Sequence, residues 1–211
     1  MTLPISVTTA DNLSRHLLCA VPQLQDPNFK RSVVLILEHN EDGAFGLVIN
    51  NPMVTKVADV IESLDLEWHG DPEAPVRRGG PVEPIRGFVL HDQVGWDPLA
   101  ETVASGLLLT TSLDAVTRSG ATEVGGEAAE FLFLLGYAGW GAGQLEGEMA
   151  LGSWVAVPLR GVTSPVDGLG VPARWILTAE PTKMWNEALR STGIDPARVV
   201  ALRGRGEPAQ S

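Results

Sequence analysis

Residues 32–51 read SVVLILEHNEDGAFGLVINN. The first eight form a β-branched and aliphatic run that fills a pleated, buried surface well. Glu41, Asp42 and Gly43 then turn the chain, and residues 44–51 supply a second apolar run. The stretch therefore predicts an antiparallel hairpin. Upstream, LLCAV (residues 17–21) predicts a buried strand closed by Pro22. Between them, Asp26 in a capping position before Pro27 predicts a short helical turn over residues 26–32.

Downstream, Val57, Val60, Ile61 and Leu64 recur at helical spacing, so residues 55–64 predict an amphipathic helix. A loop over 65–75 follows, then strands at 76–78 and 87–91 around the turn GGPVEP, and a strand at 107–110. Thr111 or Ser112 caps an expected helix at 112–119, which Gly120 stops. Residues 130–135 read as a strand, 144–151 as a short helix and 154–159 as a strand. A closing helix lies between Pro181 and Gly193. Strands alternate irregularly with short helices and hairpins, which predicts an α+β fold: a mixed β-sheet with short helices packed against it.

The chain has 211 residues, 44% hydrophobic and 19% charged, the balance of one folded domain over residues 13–200. Residues 1–12 are expected to be disordered and 201–211 to form a flexible tail. A net charge of −11 argues against direct nucleic-acid binding, which needs cations on phosphates. The local exceptions are Arg77 and Arg78, read as solvated, and the tail arginines Arg198, Arg203 and Arg205. The single cysteine, Cys19, excludes an intrachain disulfide and a Cys-based zinc site, and reads as a small buried hydrophobe. There is no signal peptide and no run of 18 apolar residues, so the cytoplasm is expected and no membrane partner is.

The stretch GYAGWGAGQLEGEMALGSW (residues 136–154) raises the main functional question. A strand, then glycines, then a helix start can bind an anion through free N–H groups and the helix dipole. Glu146 and Glu148, however, occupy the first turns and repel phosphate. The stronger reading is a tight turn in which Gly136, Gly139, Gly141 and Gly143 supply positive φ and let Tyr137 and Trp140 pack. On the helix, Leu145 and Met149 face the core, while Gln144 and Glu148 share a polar face.

Standard catalytic signatures are absent: no nucleophile elbow, no P-loop, no H-E-x-x-H. GLGVPA at Gly168 and GRGEPA at Gly204 match a dinucleotide pattern only loosely and lack a βαβ context. No cofactor and no metal are assigned. His39 and His91 stand at the ends of two predicted strands, and with Asp92 and Glu148 they would form a metal or acid/base cluster if those ends meet. Thr111 and Ser112 read as caps, and Glu62 and Asp65 as solvated charge. Six tryptophans, spread along the chain, read as core anchors with one or two at a partner surface.

Residues 22–52, GGPV followed by GFVLH, the glycine-tryptophan stretch and the terminal MWNEALRSTGID together resemble the YqgE/AlgH family of bacterial proteins, from about residue 13 to residue 195. The resemblance implies a bacterial cytoplasmic protein in which a mixed sheet packs against a smaller β-rich unit. It implies no reaction, although a transcriptional role is attached to the AlgH name. The chain departs from the family pattern at Gly152-Ser153, where an Asn commonly precedes the Trp.

Three functions follow. The first is a non-enzymatic binding or regulatory protein with an unknown protein partner or small ligand. Its surface would join GGPV (Gly79, Gly80, Pro81), LHD (His91) and GWGAGQLE (Gly139, Trp140, Gly141, Gly143, Gln144, Glu146). The second is a small hydrolase or metal-assisted enzyme, which needs His39, His91, Asp92 and Glu148 within about 5 Å of one another. The third is an indirect transcription regulator acting through a protein partner.

Overall fold

The computed structural model describes residues 12–24, 26–112, 117, 123–124, 127–160 and 168–201. The expected disorder up to residue 11, nearly all of the helix expected at 112–119 and the tail beyond 201 lie outside the described residues. The opening hairpin forms as its sequence predicts: β2 (Val33–Asn40) and β3 (Gly43–Val48) join through Glu41 and Asp42, with Asn40 opposite Gly43. Ahead of it, β1 (His16–Ala20) pairs antiparallel with β2.

The turn before β2 is not helical. Asp26 does cap, taking the Asn28 N–H on its carboxylate at 2.8 Å and the Phe29 N–H on its carbonyl at 3.1 Å. Arg31 then adopts a left-handed backbone, φ 54°, which no helix continues, and the chain enters β2.

Next come β4 (Pro52–Lys56), α1 (Val57–Glu62), β5 (Pro75–Arg78), β6 (Val82–His91), β7 (Glu101–Ala104) and β8 (Leu107–Thr110). A small ribbon of β9 (Glu123–Val124) and β10 (Glu127–Ala128) precedes the long β11 (Phe131–Gly141). The chain closes with α2 (Gln144–Ala150), β12 (Trp154–Arg160), β13 (Val171–Pro172), α3 (Trp175–Thr178), α4 (Pro181–Arg190) and α5 (Pro196–Ala201). The main sheet runs β13-β12-β1-β2-β3-β11-β6-β8-β7, with β5 parallel to β11 and β4 on β5. It is a curled, mixed sheet with a few short helices, an α+β fold. No helix among the described residues is long and apolar enough to cross a membrane.

β11 organises the whole. It runs straight through the glycines that read as a turn, so only Gly143, φ 70°, turns the chain into α2. Its first part pairs with β6 and its last four residues with β3. Between them the register slips at Gly136, whose φ of 75° makes a bulge. The bulge swaps the faces of the strand. Before it, Leu132 and Leu134 enter a core with Leu17, Leu35 and Phe88. After it, Tyr137 packs on that core, while Ala138 and Trp140 enter a second core with Leu18, Ile36 and Leu145.

The first core is closed by Ile176, Leu177, Met184 and Ala188 from α3 and α4, the second by α2. A third sits under α1, where Val57 and Ile61 meet Val76 and Phe133. Each fully buried Leu, Ile or Phe side chain contributes about 1.5–3 kcal/mol. Four tryptophans, Trp96, Trp140, Trp154 and Trp185, are buried, and Trp68 and Trp175 are half-buried. Trp68 and Trp175 also pack at the margins of the third and first cores, as the anchor reading expects.

Candidate functional site

The GGPV motif lies where three strands cross. Gly79 donates its N–H to the Leu135 carbonyl at 2.8 Å and accepts from the Val48 N–H at 2.7 Å. A Cβ on Gly79 would stand 2.2 Å from the Gly136 carbonyl oxygen, and one on Gly80 would stand 2.1 Å from the Tyr137 carbonyl. These glycines exist so that backbone can touch backbone. Gly141, by contrast, has nothing within 4 Å of its would-be Cβ. Pro81, Gly139, Gly141 and Gly143 are exposed.

The polar residues of α2 fasten that helix to the sheet. Glu148 Oε2 accepts the indole N–H of Trp140 at 3.0 Å and of Trp154 at 2.8 Å, while its Oε1 accepts the Gln144 amide at 3.0 Å. Gln144 also takes the Gly141 N–H at 3.1 Å. Phe29 packs on both indoles, stacked 6.1 Å from Trp140 and edge-on 5.5 Å from Trp154. His39 is buried, and its Nδ1 accepts the Leu13 N–H at 2.9 Å. That contact places the ring proton on Nε2, which donates to Glu146 Oε1 at 2.9 Å. Its own backbone N–H first, and then His39, hold the Glu146 carboxyl below the usual carboxylate range.

His91 stands elsewhere. It pairs with Phe131 at one end of β11, whereas His39 pairs with Ala44, which faces Trp140 at the other. Nine positions at about 3.3 Å each separate the two ends by roughly 30 Å. The structure therefore does not assemble His39, His91, Asp92 and Glu148, nor does it join GGPV, LHD and GWGAGQLE into one surface. The two histidine strands lie on opposite sides of β11 and at opposite ends of it, β6 paired with its start and β2 reached through β3 at its end. Asp92 accepts the Gln93 amide at 2.7 Å. Among the described residues no group of three His, Cys, Asp or Glu is placed to hold a metal.

The His91 ring is fully buried and stacked 4.9 Å from Trp96, with its Nδ1 accepting the Gln93 N–H at 3.3 Å. Burial pulls its pKa below the ordinary histidine value, and the same cause acts on His16. The unfolded chain then takes up protons before the native one, so stability falls as pH drops below about 6.5. We expect urea unfolding to give a lower stability at pH 5.5 than at 7.5, and the difference to shrink in His91→Asn. An unchanged difference in that variant would assign the effect to His16 alone.

Arg77 corrects its sequence reading: it is buried, not solvated, and donates through Nη1 to the Ile49 carbonyl. Cys19 is buried as expected, which pushes its thiol pKa up. Ser112 donates its N–H to Thr110 Oγ1 at 3.1 Å, and Thr110 in turn meets the Asp97 carboxylate. Glu62 and Asp65 are exposed, as read.

One surface was not legible in the sequence. Val60, Leu64, Ile85, Gly87, Phe133 and Leu135 line a cleft of about 180 Å³. Ile85 is 91% exposed and Leu64 49%. The sequence signal was the apolar Ile85 inside a stretch read as following a turn.

Comparison with known proteins places this architecture. The family model described as AlgH-like matches residues 17–197. A UPF0301 protein of Myxococcus xanthus is 42% identical over 194 residues, covering 92% of this chain and 98% of the relative. One from Ralstonia nicotianae is 43% identical over 195 residues, covering 92% and 95%. The solution structure of the AlgH protein from Pseudomonas aeruginosa superposes with a TM-score of 0.68 at 30% identity, covering 100% of this chain and 99% of that one. A crystal structure of a Corynebacterium diphtheriae protein shares the fold, with a TM-score of 0.65 at 24% identity, over 89% and 91% of the two chains. The chain belongs to the AlgH-like family.

Proposed function

We propose that this is a cytoplasmic binding or regulatory protein that acts through a protein partner docked on the cleft between α1 and β6. The observation that carries the reading is Ile85, an isoleucine 91% exposed at the rim of an apolar cleft. Isolated apolar side chains on a surface are ordinary, but an apolar groove with a protruding anchor is what partner segments use. The polar side chains of α2, in contrast, are engaged in fastening the helix, which leaves them poorly suited to turning over a substrate.

Charge selects the occupant. Asp59, Glu62 and Asp65 lie on α1 and its exit, all exposed, in a chain of net charge −11. The fitting partner is an apolar segment flanked by Lys or Arg, since complementary charge speeds encounter and suppresses wrong partners. A transcriptional effect would be exerted through such a partner and not by contact with DNA.

The test compares proteins recovered with wild type and with Ile85→Asp, then repeats binding with each candidate purified. At least one purified partner should bind wild type and lose tenfold or more in affinity with Ile85→Asp, while the melting temperature stays unchanged. Partners indifferent to both Ile85→Asp and Leu64→Asp would overturn the reading. So would turnover of a model ester or phosphate substrate by the pure protein.

A further inference from the structure

Arginine is almost never fully buried unless an anion accompanies it, because removing a charge from water is costly without compensation. Arg77 is only 6% exposed. Its polar contacts are the Ile49 carbonyl and, at 3.7 Å, the Met184 sulfur, neither of which carries a charge. Both run through Nη1, so Nε and Nη2, with three N–H groups between them, donate to no described side chain or backbone group; neither atom is sealed from water, so that edge of the guanidinium is open to an occupant. Burial alone lowers the guanidinium pKa to about 10, which still leaves it charged at neutral pH.

The surroundings repeat the sign. Arg31 lies 5.4 Å over the ring of Trp185, the neighbour of Met184 on α4. The Arg31 carbonyl accepts the Asn50 amide at 2.9 Å, next to Ile49, so the second cation belongs to the same corner. The carboxylates of α4 and its cap are engaged elsewhere. Glu180 meets Lys183 and Thr182, and Glu187 accepts the Trp175 indole at 2.9 Å. In a chain of net charge −11, this corner concentrates cations and holds no carboxylate in contact with Arg77 among the described residues.

We infer that Arg77 is the floor of a site for a small oxyanion, a carboxylate or a phosphate, entering between the end of β3 and the first turns of α4. The free edge of the guanidinium presents two parallel N–H groups, the geometry that grips two oxygens of one planar or tetrahedral anion. The start of α4 adds its positive dipole end to the same corner. The site is distinct from the cleft at Ile85, and each stands or fails without the other.

The test is arginine Nε–Hε NMR on the full chain, assigned by triple resonance so that no variant has to fold. Inorganic phosphate and acetate are titrated separately at constant ionic strength. The Arg77 signal should shift saturably with one of them, and which one does so distinguishes a phosphate from a carboxylate ligand. At one hundred times its Kd the same anion should raise the melting temperature by about 5–10 °C, and Arg77→Met should abolish that rise. No saturable shift with either anion, equal shifts at every arginine, or a melting rise that survives in Arg77→Met would overturn the site.

Discussion

Alanine at Gly136 will destabilise the protein by about 3 kcal/mol or more, whereas alanine at Gly141, in the same strand, will leave stability within about 0.5 kcal/mol of wild type. Two costs add at Gly136. Its φ of 75° is left-handed, which costs an alanine roughly 1–2 kcal/mol. Its Cβ would also stand 2.6 Å from the Gly80 carbonyl oxygen and 3.1 Å from that of Val82, backbone atoms that cannot swing aside. Overpacking of this kind adds about 1–3 kcal/mol. Gly141 has neither cost: its φ is not positive and its Cβ meets nothing within 4 Å. Urea unfolding of both variants measures the contrast, and a melting temperature lower by about 6–12 °C should accompany the first. Equal losses at the two positions would mean that the glycines act as one flexible unit and that the crossing of Gly80 over β11 is not what demands them.

Removing the Glu148 side chain will cost about 2–4 kcal/mol, because the indole N–H groups of Trp140 and Trp154 lose their shared acceptor inside a largely buried cluster. Each unsatisfied buried donor costs about 1–3 kcal/mol. Both tryptophans are buried, and both bond the same oxygen, so water has little room to substitute. Glu148→Gln should cost less, about 1 kcal/mol, since its amide oxygen can take both indoles, and the loss is confined to the exposed Gln144, which must give up either the Gly141 N–H or its contact with the new NH₂. Glu148→Ala as stable as wild type in urea would show that the indoles do not depend on this carboxylate. Glu146→Ala is the useful comparison: it takes one acceptor, that of the buried His39 Nε2–H, instead of two, and its carboxylate is 53% exposed, so its loss should cost less, about 1 kcal/mol.

The parts of the fold that read well are those whose signal is local. β2 and β3 carry continuous apolar runs around a two-residue turn, and α4 carries its own stop signals, so both emerge where the sequence places them. β4 was hidden because Pro52 and Lys56 flank a short edge segment that merges with the helix pattern of α1. The glycine run misled for a different reason. What Gly136 must accommodate is Gly80, distant in sequence, and nothing in the run itself announces that neighbour. Residues 131–135 are apolar without a break, so no alternation exposed the change of face at Gly136.

Candidate site residues were legible as types but not as partners. His39, Glu146 and Glu148 were all singled out from the sequence, yet only the register of β2 against β3 and of β3 against β11 shows that His39 meets Glu146 and lies far from His91. Arg77 was misread because charge suggests solvent. Its burial is decided by its face of β5 and by Met184, contributed from 107 residues away.

The strand order also makes folding a question of timing. β1 lies between β2 and β12, and β3 between β2 and β11, so the three-stranded unit β1-β2-β3, complete by Val48, keeps both outer edges bare until the strands at 131–160 have been synthesised. At about 5–20 residues per second, a ribosome leaves those apolar edges open for roughly 5–20 s before β11 arrives. The last fastening comes later still, when the Trp185 indole reaches the Ala20 carbonyl across 165 residues of chain. A nascent chain stalled in that interval presents two unpaired strand edges to whatever is nearby, so the order of synthesis sets how long the chain is open to edge-to-edge pairing.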